Sequence, residues 1–111
     1  MKYLLLIYEN EQRYASGYDK MELEEYGKFG KEFAPQILSG HALKPTATAT
    51  SIRVRDGKRL TTDGPFAETK EQLGGYYLVE AKDLDEAMAL AAKIPSARFG
   101  SIEVRPVMKF D

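Results

Sequence analysis

The sequence contains no cysteine and no tryptophan, and it has a single histidine, His41. Without cysteine, the chain can form no disulfide, no thiolate nucleophile and no cysteine-ligated metal site. One imidazole also excludes a histidine-rich metal site within a single subunit. The sequence therefore implies no metal and no cofactor.

An excess of one charge sign is also lacking, since 16 Lys and Arg residues face 17 Asp and Glu residues, for a net charge of −1. A balanced chain has no basic surface that would attract nucleic acid or an anionic membrane. The longest apolar run, Tyr3 to Tyr8, is too short to span a bilayer, and no signal peptide is expected. We therefore expect a cytoplasmic protein that binds neither nucleic acid nor membrane.

Two segments carry apolar residues at helical spacing. The first is Met21–Leu38, in which Pro35 predicts a kink or break and Gly40 a C-terminal stop. The second begins at the capping residue Asp83 and ends before Pro95. The predicted buried stripes are Leu23, Tyr26, Phe29, Phe33 and Ile37 in the first helix and Leu84, Ala87, Met88, Ala91 and Ile94 in the second, with Glu22 and its charged neighbours on the solvent side.

The remaining pattern is typical of strands, and Asp56-Gly57 predicts a tight hairpin turn. The order β-α-β-hairpin-β-α-β predicts, for one domain over residues 1–111, an α+β ferredoxin-like sandwich. In this fold an antiparallel sheet carries two helices on one face, here with an inserted β-hairpin. The predicted strands are Lys2–Tyr8, Thr48–Arg55, Lys58–Thr62, Tyr76–Ala81 and Ile102–Val107.

Two of these strands, Lys2–Tyr8 and Tyr76–Ala81, are apolar on both faces. Two helices cover only one face of a sheet, so the other face would expose an apolar patch, which usually marks an interface. We predict a homodimer joined sheet to sheet, with a cavity between or beside the sheets.

The most distinctive run is DGPFAETKEQLGGYY at 63–77, accompanied by TATAT at 46–50, VRDGK at 54–58 and GSIEVRP at 100–106. With these motifs, nearly the whole chain resembles the DGPF branch of the YCII-related bacterial proteins. The resemblance implies that the chain belongs with the dimeric α/β-barrel proteins. It also implies a regulatory role beside extracytoplasmic-function sigma factors, which makes a sigma factor a possible partner.

The wider YCII group often carries a histidine in the first helix and an Asp-Pro pair after the second, a suggested His–Asp site. This chain has no histidine within Met21–Leu38, and Ile94 rather than an aspartate precedes Pro95. The suggested pair is therefore missing, and its role is not transferred to His41.

Three residues are candidates for acid–base chemistry: Asp63, His41 and Tyr8. Two of them have a plainer interpretation, because Asp63 could bond its own turn and His41 could bond the last carbonyls of a helix. Phe66 is either a plug that anchors its loop to the core or the wall of a pocket, and Gly74-Gly75 is typical of a bulge. The predicted ligand-binding residues are Arg105, Arg53, Arg98, Phe66 and Tyr76.

Arg53, Arg55 and Arg105 are expected on neighbouring strands, where they could grip a small anion, because the guanidinium fork matches carboxylate and phosphate. Cross-strand Arg–Glu pairing explains them equally well without a ligand. Three functions stay open: a module that binds a small molecule or regulates a partner, a small cofactor-independent lyase, isomerase or dehalogenase acting in the dimer cavity, and a purely structural or protein-interaction module.

Overall fold

The computed structural model describes residues 1–110, and over that range the chain forms six strands and two α-helices. The strands are β1 (Lys2–Glu9), β2 (Ile37–Ala42), β3 (Thr50–Arg55), β4 (Lys58–Asp63), β5 (Gln72–Glu80) and β6 (Ser101–Pro106), and the helices are α1 (Lys20–Glu32) and α2 (Leu84–Ala92).

Four of the strands form one antiparallel sheet in the order β2-β5-β1-β6. This is the α+β architecture predicted from the sequence, with β1 and β5 in the centre. Because side chains alternate along a strand, β1 sends Tyr3, Leu5 and Ile7 to one face and Leu4 and Leu6 to the other. The first set is buried, and the second is only half-buried.

The core lies between the buried face of the sheet and the two helices. Leu5 and Val79 of the central strands are fully buried and belong to one cluster with Phe29 of α1 and Leu90 of α2. Both helices therefore pack on the same face. The opposite face, which we call the open face, has no covering element among residues 1–110.

The hairpin β3–β4 forms a separate two-stranded sheet. Its turn follows the prediction, since Asp56 and Gly57 have φ of 52° and 73°, as a tight turn with two left-handed residues requires. Nearly all of its residues are exposed. Arg53 on this hairpin and Arg105 on β6 therefore belong to different sheets, so the prediction that they lie on neighbouring strands was wrong.

The first predicted helix was too long, although the break predicted from Pro35 is confirmed. α1 ends at Glu32, and Ile37 and His41, predicted at or just after the end of a helix, instead lie in strand β2. Gly40 is not a helix stop: a β-carbon there would lie 2.5 Å from the ring of Tyr77. The glycine therefore lets an aromatic ring of β5 pack across the edge strand.

The buried face of α1 also differs from the prediction. Leu23 is 54% exposed, whereas Glu22, predicted on the solvent side, is only 5% exposed. The stripe that faces the sheet begins at Glu22 and continues through Tyr26 and Phe29, at the spacing of one helix face. In α2, Leu84 and Met88 are similarly about half exposed, and the buried residues are Ala87, Leu90 and Ala91.

Two other local predictions are confirmed, and the plug interpretation of Phe66 is not. Asp83 caps α2, since its side chain accepts a hydrogen bond from the Glu86 N–H at 2.9 Å. Gly74 lies at a register shift between β1 and β5, which is the predicted bulge. Phe66 is not a core plug, because 78% of its surface is exposed in this protomer.

Candidate functional site

A cavity of about 520 Å³ opens between the first half of α1, the segment Glu11–Tyr18 and the ends of β1, β2 and β5. Its walls are mainly aromatic and aliphatic. Ligand pockets usually have volumes of about 300 to 1,000 Å³, so this one fits a small molecule. Five tyrosines contribute to the lining: Tyr14, Tyr18, Tyr26, Tyr76 and Tyr77.

The polar side of the cavity is acidic. Four carboxylate side chains, Glu9, Glu11, Asp19 and Glu22, line it, and no lysine or arginine is among the lining residues of the described chain. Local structure accounts for two of them. Glu11 accepts hydrogen bonds from the backbone and hydroxyl of Thr46 at 2.6 and 2.8 Å, and Asp19 caps α1.

The other two carboxylates, Glu9 and Glu22, are each only 5% exposed. Arg13 bridges them: Nη1 donates to Glu9 Oε1 and Nη2 to Glu22 Oε2, both at 2.7 Å. The guanidinium lies 4.0 Å from the ring centroid of Phe99. A buried carboxylate is costly unless it is paired, so Arg13 is what makes this arrangement stable.

Hydroxyl groups complete the network. The Tyr14 hydroxyl donates to Glu9, and Tyr26 shares a hydrogen bond with Ser96, whose Oγ lies 3.5 Å from Glu22 Oε1. We call the set Glu9, Arg13, Tyr14, Glu22, Tyr26 and Ser96 the Arg13 network.

Burial of the network alters its titration. Burial, with the hydrogen bond to Glu9 second, raises the pKa of Tyr14 well above its ordinary value. Burial raises the pKa of Tyr26 to about 12, although the bond to Ser96 acts in the opposite direction. For Arg13 burial lowers the pKa, but the bond and charge of Glu9 and the charge of Glu22 outweigh it, so the pKa rises. Both phenols therefore stay protonated at neutral pH and can act as donors.

Two elements bring these groups together. The stretch after β1 turns through a short helical segment, Glu11–Tyr14, whose start is capped by the Asn10 side chain. Arg13 stands four residues after Glu9, and this turn brings its side chain to the same side of the chain as that of Glu9. The α1 helix then presents Glu22 and Tyr26 on one face, four residues apart.

The residues predicted from the sequence are mostly placed elsewhere. Tyr76 and His41 are among the residues lining the cavity, and their ring centroids lie 5.9 Å apart with the ring planes tilted by 54°. By strand register their side chains lie on the open face, as does that of Tyr8, so they do not belong to the side of the cavity that faces α1. Asp63 and Phe66 lie at and after the end of the hairpin. Their predicted roles in a site stay predictions.

The predicted anion-binding arginines are dispersed and partly paired. Arg98 forms an ion pair with Glu25 at 2.8 Å, and Arg105 pairs with Glu103 of its own strand. Arg53 lies on the exposed hairpin. None of the three lines the cavity, so an anion held by them would bind at another place.

A family model describes the same chain. The model of the YCII-related domain matches residues 1–111, which is the full length of this sequence. The chain belongs to the YCII-related family. None of the helices formed by residues 1–110 is both long and apolar enough to cross a membrane.

One protein is similar to this chain in sequence, and another is similar in structure. The chain is 48% identical over 67 residues to an uncharacterised protein of Rhizobium meliloti, a match that covers 59% of this chain and 54% of that protein. The chain thus spans about half the length of this curated relative. A solved structure, the dehydrochlorinase of 5-chloro-2-hydroxyhydroquinone from Burkholderia phenoliruptrix in complex with 2,5-dihydroxybenzoquinone, matches with a TM-score of 0.57 over 97% of this chain and 94% of that one. At 13% identity it shows the fold alone.

The sequence did not predict the Arg13 network, because Arg13 and Tyr14 stand in a stretch that looks like a polar loop and Glu22 stands among the charged residues of the first helix. A signal was present, however. The chain has seven tyrosines and no tryptophan, and three of the tyrosines, Tyr14, Tyr18 and Tyr26, fall close together around the start of α1. A cluster of residues with an aromatic body and a polar tip is typical of a binding site.

Proposed function

We propose that this YCII-related protein binds a small ring-shaped molecule in the cavity beside α1. The observation that carries the proposal is the pair of nearly buried carboxylates, Glu9 and Glu22, at a tyrosine-lined cavity of about 520 Å³. Apolar walls with a few fixed polar groups are the usual composition of a ligand site. The related dehydrochlorinase is in complex with a small ring compound, which supports a ligand of this size.

The test is calorimetric titration with hydroquinone and para-ethylphenol as probes. We expect binding to the wild-type protein and its loss in Ala42→Phe, because Ala42 lines the cavity and the added ring would fill it. Ala89→Phe is the matched control, since Ala89 is an exposed residue of α2 away from the cavity. Equal binding by both variants would place the probes elsewhere and contradict the proposal.

We also propose that the protein is a homodimer joined through the open face. Its support is the row of half-buried apolar residues that no element of the protomer covers, including Leu4, Leu6 and Leu78. Light scattering should give twice the 12.5 kDa mass of one chain. Leu6→Asp should release single chains, and a wild-type protein with the mass of one chain would rule the dimer out.

A second candidate is an acid–base enzyme using the same cavity. The contact between Tyr14 and Glu9 favours it, because it joins a protonated phenol to a carboxylate beside a second carboxylate. We would incubate the protein with 5-chloro-2-hydroxyhydroquinone, the compound named for the related dehydrochlorinase, and measure chloride release. Release that Tyr14→Phe abolishes would establish turnover, and no release above buffer leaves ligand binding as the function.

The regulatory role and the sigma-factor partner implied by the DGPF resemblance remain part of the proposal. A molecule bound beside α1 could bias the surface that a partner contacts. Co-purification of the chain with a sigma factor encoded beside it would test this, and a complex that the probes strengthen or dissolve is the expected result. A sigma factor that never co-purifies with the chain would remove the regulatory part and leave the binding site.

A further inference from the structure

The charges at the cavity do not balance. Glu9 and Glu22 share one guanidinium, that of Arg13, so when both are ionised one negative charge remains uncompensated. Both side chains are almost completely buried, where water screens charge poorly. Among the described residues, no lysine or arginine lines the cavity to make up the difference, and the side chain of His41 lies on the open face by strand register.

One of the four carboxylate oxygens of Glu9 and Glu22 also lacks a close hydrogen-bond donor from the protein. Both oxygens of Glu9 and Oε2 of Glu22 have close partners in Arg13 and Tyr14. The fourth oxygen, Glu22 Oε1, has only Ser96 Oγ at 3.5 Å, the outer limit for a hydrogen bond. Ser96 is in addition held by Tyr26. Glu22 is therefore the carboxylate with the weakest set of protein donors.

The aromatic walls suit a positive charge. Tyr14 and Tyr18 lie with ring centroids 4.7 Å apart, and Tyr26 and Tyr77 complete that side of the lining. The face of a phenol ring attracts cations, and the attraction is stronger where water is excluded. Carboxylates surrounded by aromatic rings are a common way to hold an ammonium group.

We infer that the ligand of this cavity is a small organic cation, an amine with an aromatic or short aliphatic body, whose ammonium group binds at Glu22. The inference rests on the proposed function, because it names the class of molecule that the cavity takes. A metal ion is the less suitable cation, since residues 1–110 bring no three His, Asp or Glu side chains together as ligands for one.

The test compares three probes of matched shape by calorimetric titration: tyramine, para-ethylphenol and para-hydroxyphenylacetate. They carry a positive charge, no charge and a negative charge on similar rings. We expect tyramine to bind about tenfold more tightly than the neutral phenol, and the acetate to bind more weakly than either. Glu22→Gln should remove the preference for tyramine while the neutral phenol still binds.

Glu22→Gln is expected to fold, because it leaves Arg13 paired with Glu9 at 2.7 Å. Glu9→Gln provides a second variant with the same charge change. Glu25→Gln is the matched control on α1: it removes one carboxylate outside the cavity, that of an exposed pair with Arg98, and should keep the preference for tyramine.

The failures are distinguishable. If the neutral phenol or the acetate binds wild-type protein as tightly as tyramine, or if Glu22→Gln and Glu9→Gln keep the tyramine preference, the inference is overturned while the cavity remains a binding site. If none of the probes binds the wild type, or Ala42→Phe binds them equally well, the proposed function fails and the inference fails with it.

Discussion

Leu5 and Leu6 are neighbours on β1, yet they lie in two different environments. Leu5 is completely buried between the sheet and the helices, whereas Leu6 is half-buried on the open face. The same strand thus serves the core on one side and a surface on the other. Two neighbouring leucines of one strand therefore differ in their contribution to stability: the helix-covered face forms the core, and the open face is the surface through which we propose the dimer.

The largest expected effect separates these two faces. Leu5→Ala should lower the free energy of unfolding by about 4 kcal/mol, because it leaves a cavity in the core. In dilute protein, where the proposed dimer is dissociated, Leu6→Ala should cost about 1 kcal/mol or less, since Leu6 makes fewer contacts within the protomer. Urea unfolding of the two variants measures the difference. Similar costs would mean that the open face is as thoroughly covered in solution as the core.

Local sequence signals predicted one part of the fold well. The turn at Asp56-Gly57, the cap at Asp83 and the apolar run of β1 each depend on residues close together in the chain. Strand β2 was missed because its sequence, ILSGHA, has no apolar alternation and contains Gly40. Its pairing with β5 is decided by a distant strand, which a local pattern cannot show.

The candidate site was predicted less well, for a related reason. Glu22 looks like one of many surface glutamates of α1, and only the position of Arg13 after β1 makes its burial favourable. The ring of Phe99, near the end of the chain, lies against Arg13, and Ser96 reaches Glu22. Such a network depends on contacts between three separate segments, so residue type and spacing could not predict it.

A second prediction compares the buried network with an ion pair at the surface. Arg13→Met should lower the free energy of unfolding by about 3 kcal/mol, because it leaves two buried carboxylates without a cation. Arg98→Met should cost under about 1 kcal/mol, since its pair with Glu25 is exposed to water. The two arginines are well matched, because each also lies against the Phe99 ring.

Urea unfolding at pH 7 measures both changes. Equal, small losses would show that Glu9 and Glu22 are not the buried charges described above, and the cation inference would lose its basis. A large loss for Arg98→Met alone would place the important ion pair on the outer side of α1 instead.

The smallest expected effect is a loss of stability at alkaline pH. It depends on Tyr26, which packs against the core on the covered face of the sheet. The pKa of Tyr26 is raised from its ordinary value of 10.0 to about 12, mainly by burial. The unfolded chain therefore releases this proton first, so the contribution to stability is complete below pH 10 and is lost as the pH rises towards 12. The loss should reach about 1 kcal/mol between pH 10 and 11. Tyr26→Phe should reduce this slope.

Burial also raises the pKa of Tyr14 and Tyr77, so Tyr26→Phe removes only part of the alkaline loss. The control is Tyr18→Phe, since Tyr18 lines the same cavity but is 58% exposed. Unfolding in urea at several pH values should give the wild-type slope for this control. If Tyr26→Phe also kept the wild-type slope, the Tyr26 hydroxyl would be in water in solution. The cavity would then be wetter than its geometry indicates, and a bound ammonium group would gain less from Glu22, because water screens that attraction.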